Sequence, residues 1–173
     1  MTRPVFATAI QQWATAALLL VVPAVHGAPP PQFLESHAAC LVTDAAVVPL
    51  QLEHASTTEQ RRFGLMERTE LAANAGMLFL YPSQRSGGSG FWMYRTRLPL
   101  DIAWLDEAGV ILAMDTMTPC ESGNPADCPS WSPGVPHRHV LEMKADFFAE
   151  HHVEVGDRVV VNLNDHNPCL GAD

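Results

Sequence analysis

The side chains best suited to binding chemistry cluster in the middle of the chain, between residues 91 and 109. This stretch contains two tryptophans, two arginines and two aspartates, and it lies between a glycine-rich segment and a tight turn. Aromatic walls beside guanidinium and carboxylate groups suit a sugar, a peptide or a small amphipathic ligand. We therefore predict a ligand-binding cleft built by this stretch and its neighbours, with the candidate residues Arg61, Arg68, Trp92, Met93, Arg95, Thr96, Asp101 and Trp131.

Asp101 stands at the head of an apolar strand, where a carboxylate requires a partner. A guanidinium group satisfies both carboxylate oxygens, and Arg61 and Arg68 are the candidates. Two interpretations follow. Either the pair is a buried structural ion pair that anchors a helix to the central strands, or one arginine stays free in the cleft and binds a carboxylate or phosphate.

An enzymatic alternative is a cell-envelope hydrolase that uses Asp101 as its acid–base residue. The sequence contains no Gly-x-Ser-x-Gly elbow, no His-Glu-x-x-His motif, no phosphate-binding loop and no dinucleotide fingerprint. Asp106 is the nearest second carboxylate, but its spacing from Asp101 along one strand turns the two side chains to opposite faces. We therefore favour a binding protein over an enzyme.

Methionine, cysteine and histidine side chains suggest two alternative metal sites. Met66, Met77 and Met93 lie in motifs near Trp92 and could form a copper(I) site of thioethers, although no Met-x-Met cluster supports it. Adaptable core filling is the usual role of methionine. A second set combines two cysteines with two histidines: Cys120, Cys128, His137 and His139. We predict neither a metal site nor a cofactor.

The four cysteines favour disulfides, because their number is even and the chain carries an export signal. Cys120 and Cys128 flank a Gly/Asn/Pro/Asp segment, so a local bridge is expected there. Cys40 and Cys169 would then join the two ends of the domain. Three pairings are formally open.

Residues 1–27 have the composition of an export signal. A charged start at Arg3 precedes an apolar run from Ala14 to Val22 that is too short to span a bilayer, and small residues allow cleavage after Gly27. The alternative is an uncleaved membrane anchor. We predict an extended tether over residues 28–45, a single β-rich domain over residues 46–173, and a periplasmic or secreted location without a stable membrane anchor.

The net charge excludes one class of partner. Ten Lys and Arg residues oppose 19 Asp and Glu residues, which gives a formal charge of −9. Such a surface repels phosphate backbones and anionic lipid headgroups. We expect no nucleic-acid partner, and instead a small molecule, sugar or peptide.

Most of the elements that must position these residues are predicted to be strands. Ser56 to Glu59 fit a capped helix start, Gly64 suggests either a close backbone approach or a positive φ angle, and Pro49 suggests an edge strand. Residues 82–90 are expected to form a mobile loop, and residues 118–139 a long cysteine-bearing one. About seven strands and two short helices predict a mainly β domain, a compact sandwich or barrel. The strands are expected at 48–53, 77–81, 91–94, 102–105, 110–114, 140–143 and 158–163, and the helices at 56–66 and 145–151.

Four motifs in order resemble the family known as domain of unknown function 192, which contains small and often exported prokaryotic proteins. The family usually has Lys and Asn where this chain has Tyr94 and Arg95, and often Arg where this chain has Phe63. The resemblance covers about residues 46–162 and implies a β-rich, sandwich-like fold, but no activity. Its motifs are Arg61–Arg68, Gly76–Phe79, Trp92–Thr96 with Leu98–Ile102, and Val140–Glu142 followed by Val155–Asp157.

Overall fold

A computed structural model describes residues 28–161 and Cys169, and its main feature is a seven-stranded sheet. The predicted export signal and the last two residues of the predicted 158–163 strand lie outside the described residues. The strand order is β6-β5-β8-β3-β2-β1-β9, and β4 and β7 form a separate two-stranded ribbon. All neighbours in the large sheet are antiparallel except β2 and β3. The strands are β1 Ser36–Val42, β2 Val47–Ala55, β3 Ala75–Arg85, β4 Phe91–Trp92, β5 Leu100–Leu105, β6 Ile111–Met117, β7 Ser130–Trp131, β8 His137–Lys144 and β9 Arg158–Val161, and the helices are α1 Thr58–Phe63 and α2 Phe147–Glu150.

The sheet curls until its two edge strands touch. The bridge between Val110 and Arg158 joins the β6 edge to the β9 edge, and the Val159 N–H donates to the Gly109 carbonyl at 2.9 Å. Gly109 has φ +84°, and a Cβ atom there would lie 2.2 Å from the Val159 oxygen, so this contact requires glycine. The prediction of a mainly β domain, a sandwich or barrel with about seven strands and two short helices, is confirmed: seven strands form the curled sheet, and β4 and β7 add the small ribbon.

Both faces of the curled sheet are covered, and each carries its own core. Side chains that alternate along a strand point to opposite faces. On β5, Ala103 and Leu105 join the inner core with α2, whereas Ile102 and Trp104 join an outer core. The outer core also contains Leu65, and partly buried side chains of the 91–98 and 120–131 segments pack against it. This outer layer is where an opening can form.

Helix α1 begins one residue later than the sequence suggested. Thr57, rather than Ser56, is the N-cap, and it forms a reciprocal capping box with Gln60 instead of Glu59. The helix ends at Gly64, whose φ of +54° confirms the expected positive angle. A Cβ at that glycine would approach the Phe79 ring to 3.3 Å, so the helix end lies against the outer core.

Three sequence predictions about extended segments were wrong in part. Residues 36–42 form strand β1 because they pair with both β2 and β9, so the tether does not extend over residues 28–45. Strand β3 runs through Pro82 to Arg85, which leaves only residues 86–90 in the predicted loop. Pro49 lies in a strand flanked on both sides, but β2 pairs with β3 only from Gln51 onward, so the proline still needs no partner on that side.

Both disulfides connect the cysteines as predicted. Cys120 pairs with Cys128 across eight positions, and Cys40 pairs with Cys169. The predicted 118–139 loop ends at residue 136, because β8 begins at His137. The loop is closed locally by the Cys120–Cys128 bridge and contains a short 3-10 helix, Pro125–Asp127, and the strand β7. Because these thiols are joined, a metal site that uses Cys120 and Cys128 as thiolates is not formed.

Candidate ligand-binding site

The outer layer of the barrel contains a surface cleft next to Trp92. The cleft has a volume of about 440 Å³, and Trp92 is 39% exposed at its wall. The Tyr94 ring lies 5.6 Å from the Trp92 ring, so the two form a continuous aromatic surface. The residues lining this outer cleft come from the N-terminal segment, helix α1, the 91–95 turn and the disulfide loop: Pro29, Glu59, Arg62, Phe63, Met66, Trp92, Tyr94, Arg95 and Pro125.

A smaller inner recess adjoins the outer cleft and shares four lining residues with it. The recess has a volume of about 30 Å³ and reaches the sheet itself, where it meets Glu142 of β8 and Phe79 of β3. Thr96 also lines it and is buried, with its backbone N–H bonded to the Met93 carbonyl at 3.1 Å. The four shared residues are Arg62, Phe63, Met66 and Trp92.

Glu142 is the most unusual group in this site. It is only 5% exposed, and within residues 28–161 and Cys169 its carboxyl group makes no hydrogen bond or ion pair. Burial without a compensating partner disfavours the charged form and raises the pKa of Glu142 to about 8. With this pKa the side chain is mainly protonated near pH 7, and in that form it can both donate and accept a hydrogen bond.

The position of Glu142 follows from strand alternation on β8. Val140 belongs to the outer core and Leu141 to the inner core, so Glu142 points to the outer side. In an uncovered sheet that side would face water. Here α1 and the 91–96 segment cover it, and the carboxyl group lies beneath the recess. Glu142 lies in one of the family motifs but is not among the residues predicted for the site.

Arg61 lines the recess, but its guanidinium group is engaged elsewhere. One terminal nitrogen donates to the Leu80 carbonyl at 2.8 Å and also to the Ser56 carbonyl. The group stacks over the Tyr81 ring at 4.9 Å from its centroid. Arg61 therefore holds α1 against β3, and no arginine charge compensates Glu142.

The turn at the cleft wall is fixed by Glu67, a residue that the sequence analysis did not single out. Its carboxylate accepts hydrogen bonds from the side chains of Arg95 and Arg97, which lower the pKa of Glu67. Its backbone N–H donates to the Arg95 carbonyl at 2.8 Å. Glu67 and Arg95 both have positive φ angles, 64° and 59°, so the ion pairs stabilise a strained turn.

Arg68 and Asp101 are not partners, contrary to one of our two interpretations. Arg68 is 5% exposed and forms a bidentate ion pair with Glu53, in which each terminal guanidinium nitrogen lies 2.7 Å from one carboxylate oxygen. Its guanidinium group also donates to the Gln32 carbonyl and stacks on Phe33. This pair anchors the N-terminal segment to β2 and lines neither cavity.

Asp101 lies on the inner face of the sheet, opposite the cleft. One of its oxygens accepts from the Thr116 hydroxyl at 2.8 Å, and the other accepts from the Phe148 N–H at 2.9 Å. It is 2% exposed and caps the start of α2. A hydrolase with Asp101 as an accessible acid–base residue is therefore incompatible with this geometry.

The remaining predicted site residues divide between core and cleft. Met93 and Met77 are fully buried in the outer core, and only Met66 reaches the cleft, so the three sulfur atoms do not line one opening. Trp131 pairs with Phe91 across the small ribbon and packs on the outer core instead of lining either cavity. Of the eight predicted residues, the structure places four at the cleft or recess: Arg61, Trp92, Arg95 and Thr96.

The order of the sequence motifs and the fold point to the same protein family. The profile of the family described as "Uncharacterized ACR", domain of unknown function 192, matches residues 40–161. The chain belongs to this family. The match includes strands β2 to β9 completely, the last three residues of β1, and every residue that lines the inner recess. A search of curated protein sequences gives no match.

Two solved structures resemble this family member over most of its length. One is a candidate transcription regulator from Sinorhizobium meliloti 1021, 28% identical, covering 78% of this chain and 98% of its own, with a TM-score of 0.64. The other is a protein of unknown function from Novosphingobium aromaticivorans DSM 12444, 26% identical, covering 78% and 93%, with a TM-score of 0.60. Within the described part of this chain, no helix has the length and hydrophobicity needed to cross a membrane.

Proposed function

We propose that this protein is an exported, non-enzymatic binding module that holds a small ligand in the outer cleft and inner recess. The observation that carries the proposal is Glu142: a buried carboxyl group without a protein partner in the described chain, located where an opening reaches it. A ligand group that enters the recess can form hydrogen bonds with Glu142 that no residue of the described chain supplies.

The walls of the cleft support the same proposal. Small-molecule sites are concave and mainly apolar, with a few polar groups that fix orientation, and about 300–1,000 Å³ in volume. The outer cleft of about 440 Å³ lies in this range, with Trp92 and Phe63 as apolar walls. Arg62 and Arg95 add positive charge at its mouth.

Export is supported by the residue pattern of positions 1–27 and by two disulfides, which persist in oxidising compartments. A periplasmic or secreted protein with such a cleft would meet sugars, peptides and other envelope components. The regulatory role suggested for the Sinorhizobium protein is not our proposal here, because a net charge of −9 opposes binding to nucleic acid.

The test is a thermal-shift screen of the protein against neutral sugars, short peptides and small anions. Ligand-induced shifts are compared between wild type and Trp92→Ala. Trp131→Ala is the matched control, because it removes the same side chain from the neighbouring strand without touching the cleft.

We expect at least one ligand to raise the melting temperature of wild type and of the Trp131→Ala variant but not of Trp92→Ala. The proposal fails if wild type responds to no compound. It also fails if Trp92→Ala gives the same ligand-induced shifts as wild type.

A further inference from the structure

Because the two cavities differ so much in size, they would hold different parts of one ligand. The recess of about 30 Å³ exceeds the roughly 10–15 Å³ that one water molecule needs, so it admits a single small group. The outer cleft is large enough for a ring. A ligand that reaches Glu142 must therefore do so with a short substituent while its body remains beside Trp92.

The polar groups of the recess define that substituent. Among the polar side chains that line the recess, Thr96 and Glu142 are the two that are buried; neither makes a side-chain hydrogen bond in the described chain, and each can donate one and accept others. A hydroxyl or carbonyl oxygen matches both. Of the two guanidinium groups that line the recess, that of Arg61 already serves two backbone carbonyls, and Arg62 is exposed at the mouth shared with the outer cleft. Neither offsets the burial of Glu142, so a carboxylate beside Glu142 would be uncompensated as well.

The titratable groups around Glu142 come from two elements. Helix α1 contributes Arg61 and Arg62, and β3 contributes Tyr81, whose pKa is raised by burial. Strand β5, the other neighbour of β8, presents no titratable side chain on this face; its one polar side-chain atom there, the Trp104 Nε1, has no hydrogen-bond partner in the described chain. None of these groups supplies a carboxylate-binding partner to Glu142.

The body of the ligand faces the exposed indole of Trp92 and the adjoining Tyr94 ring. A flat aromatic surface receives the C–H face of a pyranose ring, while the hydroxyl groups at the ring edge reach polar groups. Peptides are more often bound by adding a strand to an exposed sheet edge. The lining of the cleft also contains Pro29 and Pro125, which have no N–H to offer such a strand.

We infer that the ligand is an uncharged saccharide, whose sugar ring stacks on Trp92 and whose acetamido carbonyl oxygen, which can only accept, takes a hydrogen bond from the Glu142 carboxyl group. This inference rests on the proposed function. Because Glu142 must carry its proton to donate, affinity depends on the protonated fraction of this side chain.

The experiment measures the affinity of four probes by calorimetry at pH 6. They are N-acetylglucosamine trisaccharide, its cationic de-N-acetylated form, the anionic galacturonic acid trisaccharide, and an uncharged acetyl-trialanine amide. The neutral saccharide is measured again at pH 9, with wild type and with Glu142→Gln, whose amide donates a hydrogen bond at every pH.

We expect the neutral saccharide to bind at least tenfold more tightly than the charged ones. With a pKa of about 8 for Glu142, its affinity for wild type should fall about tenfold from pH 6 to pH 9. Glu142→Gln keeps a hydrogen-bond donor that does not titrate, so its affinity for the neutral saccharide should be the same at pH 6 and at pH 9.

Three results would overturn the inference: tighter binding of a charged saccharide, binding of the peptide alone, or the same loss of affinity at pH 9 in Glu142→Gln. If no saccharide binds although the thermal-shift screen has found another ligand dependent on Trp92, the saccharide assignment fails and the proposed function stands. If neither the thermal-shift screen nor calorimetry detects binding, both the proposed function and the saccharide assignment are wrong.

Discussion

Replacing Glu142 with glutamine should change how the stability of the protein depends on pH. The amide has nearly the shape of the protonated acid, but it does not ionise. In the unfolded chain the carboxyl group has its ordinary pKa of 4.5, and in the folded protein burial raises this pKa to about 8. Below pH 4.5 both states of the wild type are protonated, so this group contributes no pH dependence there.

The sign follows from proton binding. Between pH 4.5 and about 8 the unfolded chain loses its proton while the folded protein keeps it, so rising pH favours unfolding. A difference of about 3.5 in pKa corresponds to at most about 5 kcal/mol. The wild type should therefore lose up to about 5 kcal/mol of unfolding free energy relative to Glu142→Gln between pH 4.5 and pH 8, and little more above pH 8.

The assay is urea denaturation of both proteins at intervals from pH 4 to pH 9. Subtracting the two curves removes other titrating groups, including His54, whose pKa burial and His37 lower to about 4. Glu67→Gln serves as the control of opposite sign, because Arg97 and Arg95 lower the pKa of Glu67. The stability that Glu67 contributes is present above pH 4.5 and lost as pH falls through its folded pKa. A flat difference between wild type and Glu142→Gln would refute our account of Glu142.

Three further changes test the structural roles of residues outside the cleft. Arg68→Ala should cost about 3–5 kcal/mol of unfolding free energy because it leaves the carboxylate of Glu53 unpaired; a loss below about 1 kcal/mol in urea denaturation would contradict the buried pair. Asp101→Ala should cost about 2–4 kcal/mol of unfolding free energy, because two hydrogen bonds are lost. The ligand-induced thermal shifts should not change. If a folded Asp101→Ala variant lost these shifts, Asp101 would belong to the ligand-binding site after all. Joint replacement of Cys120 and Cys128 by serine should cost about 2–3 kcal/mol from loop entropy, and an unchanged melting temperature would show that the bridge constrains little.

Local sequence patterns predicted the strands well because they report side-chain alternation. The apolar run from Met77 to Tyr81 became part of β3, and the turn before Val110 became the β5–β6 hairpin. Gly64 ended its helix with a positive φ angle, as its position indicated. The extent of strands was harder to predict, because pairing with partners distant in sequence carried β3 through Pro82 and recruited residues 36–42 into β1.

The site was predicted only in part because charge partners are chosen by tertiary contacts. The sequence could not show that Asp101 faces the inner core and Trp92 the outer surface. It also could not show that Arg68 forms its ion pair with Glu53. Glu142 was missed for a related reason. A polar residue alternating with apolar ones normally faces water, and only the layer above β8 makes it a buried acid.

The protonation state of Glu142 in the folded protein tests the central claim most directly. Carbon-detected NMR of the side-chain carboxyl carbon, assigned by its loss in Glu142→Gln, follows that state as pH is changed. We predict a protonated carboxyl group at pH 7 that titrates near pH 8. A carboxyl group already ionised at pH 6, with an ordinary pKa near 4.5, would show that it has a partner or open solvent and would remove the basis of the proposed site.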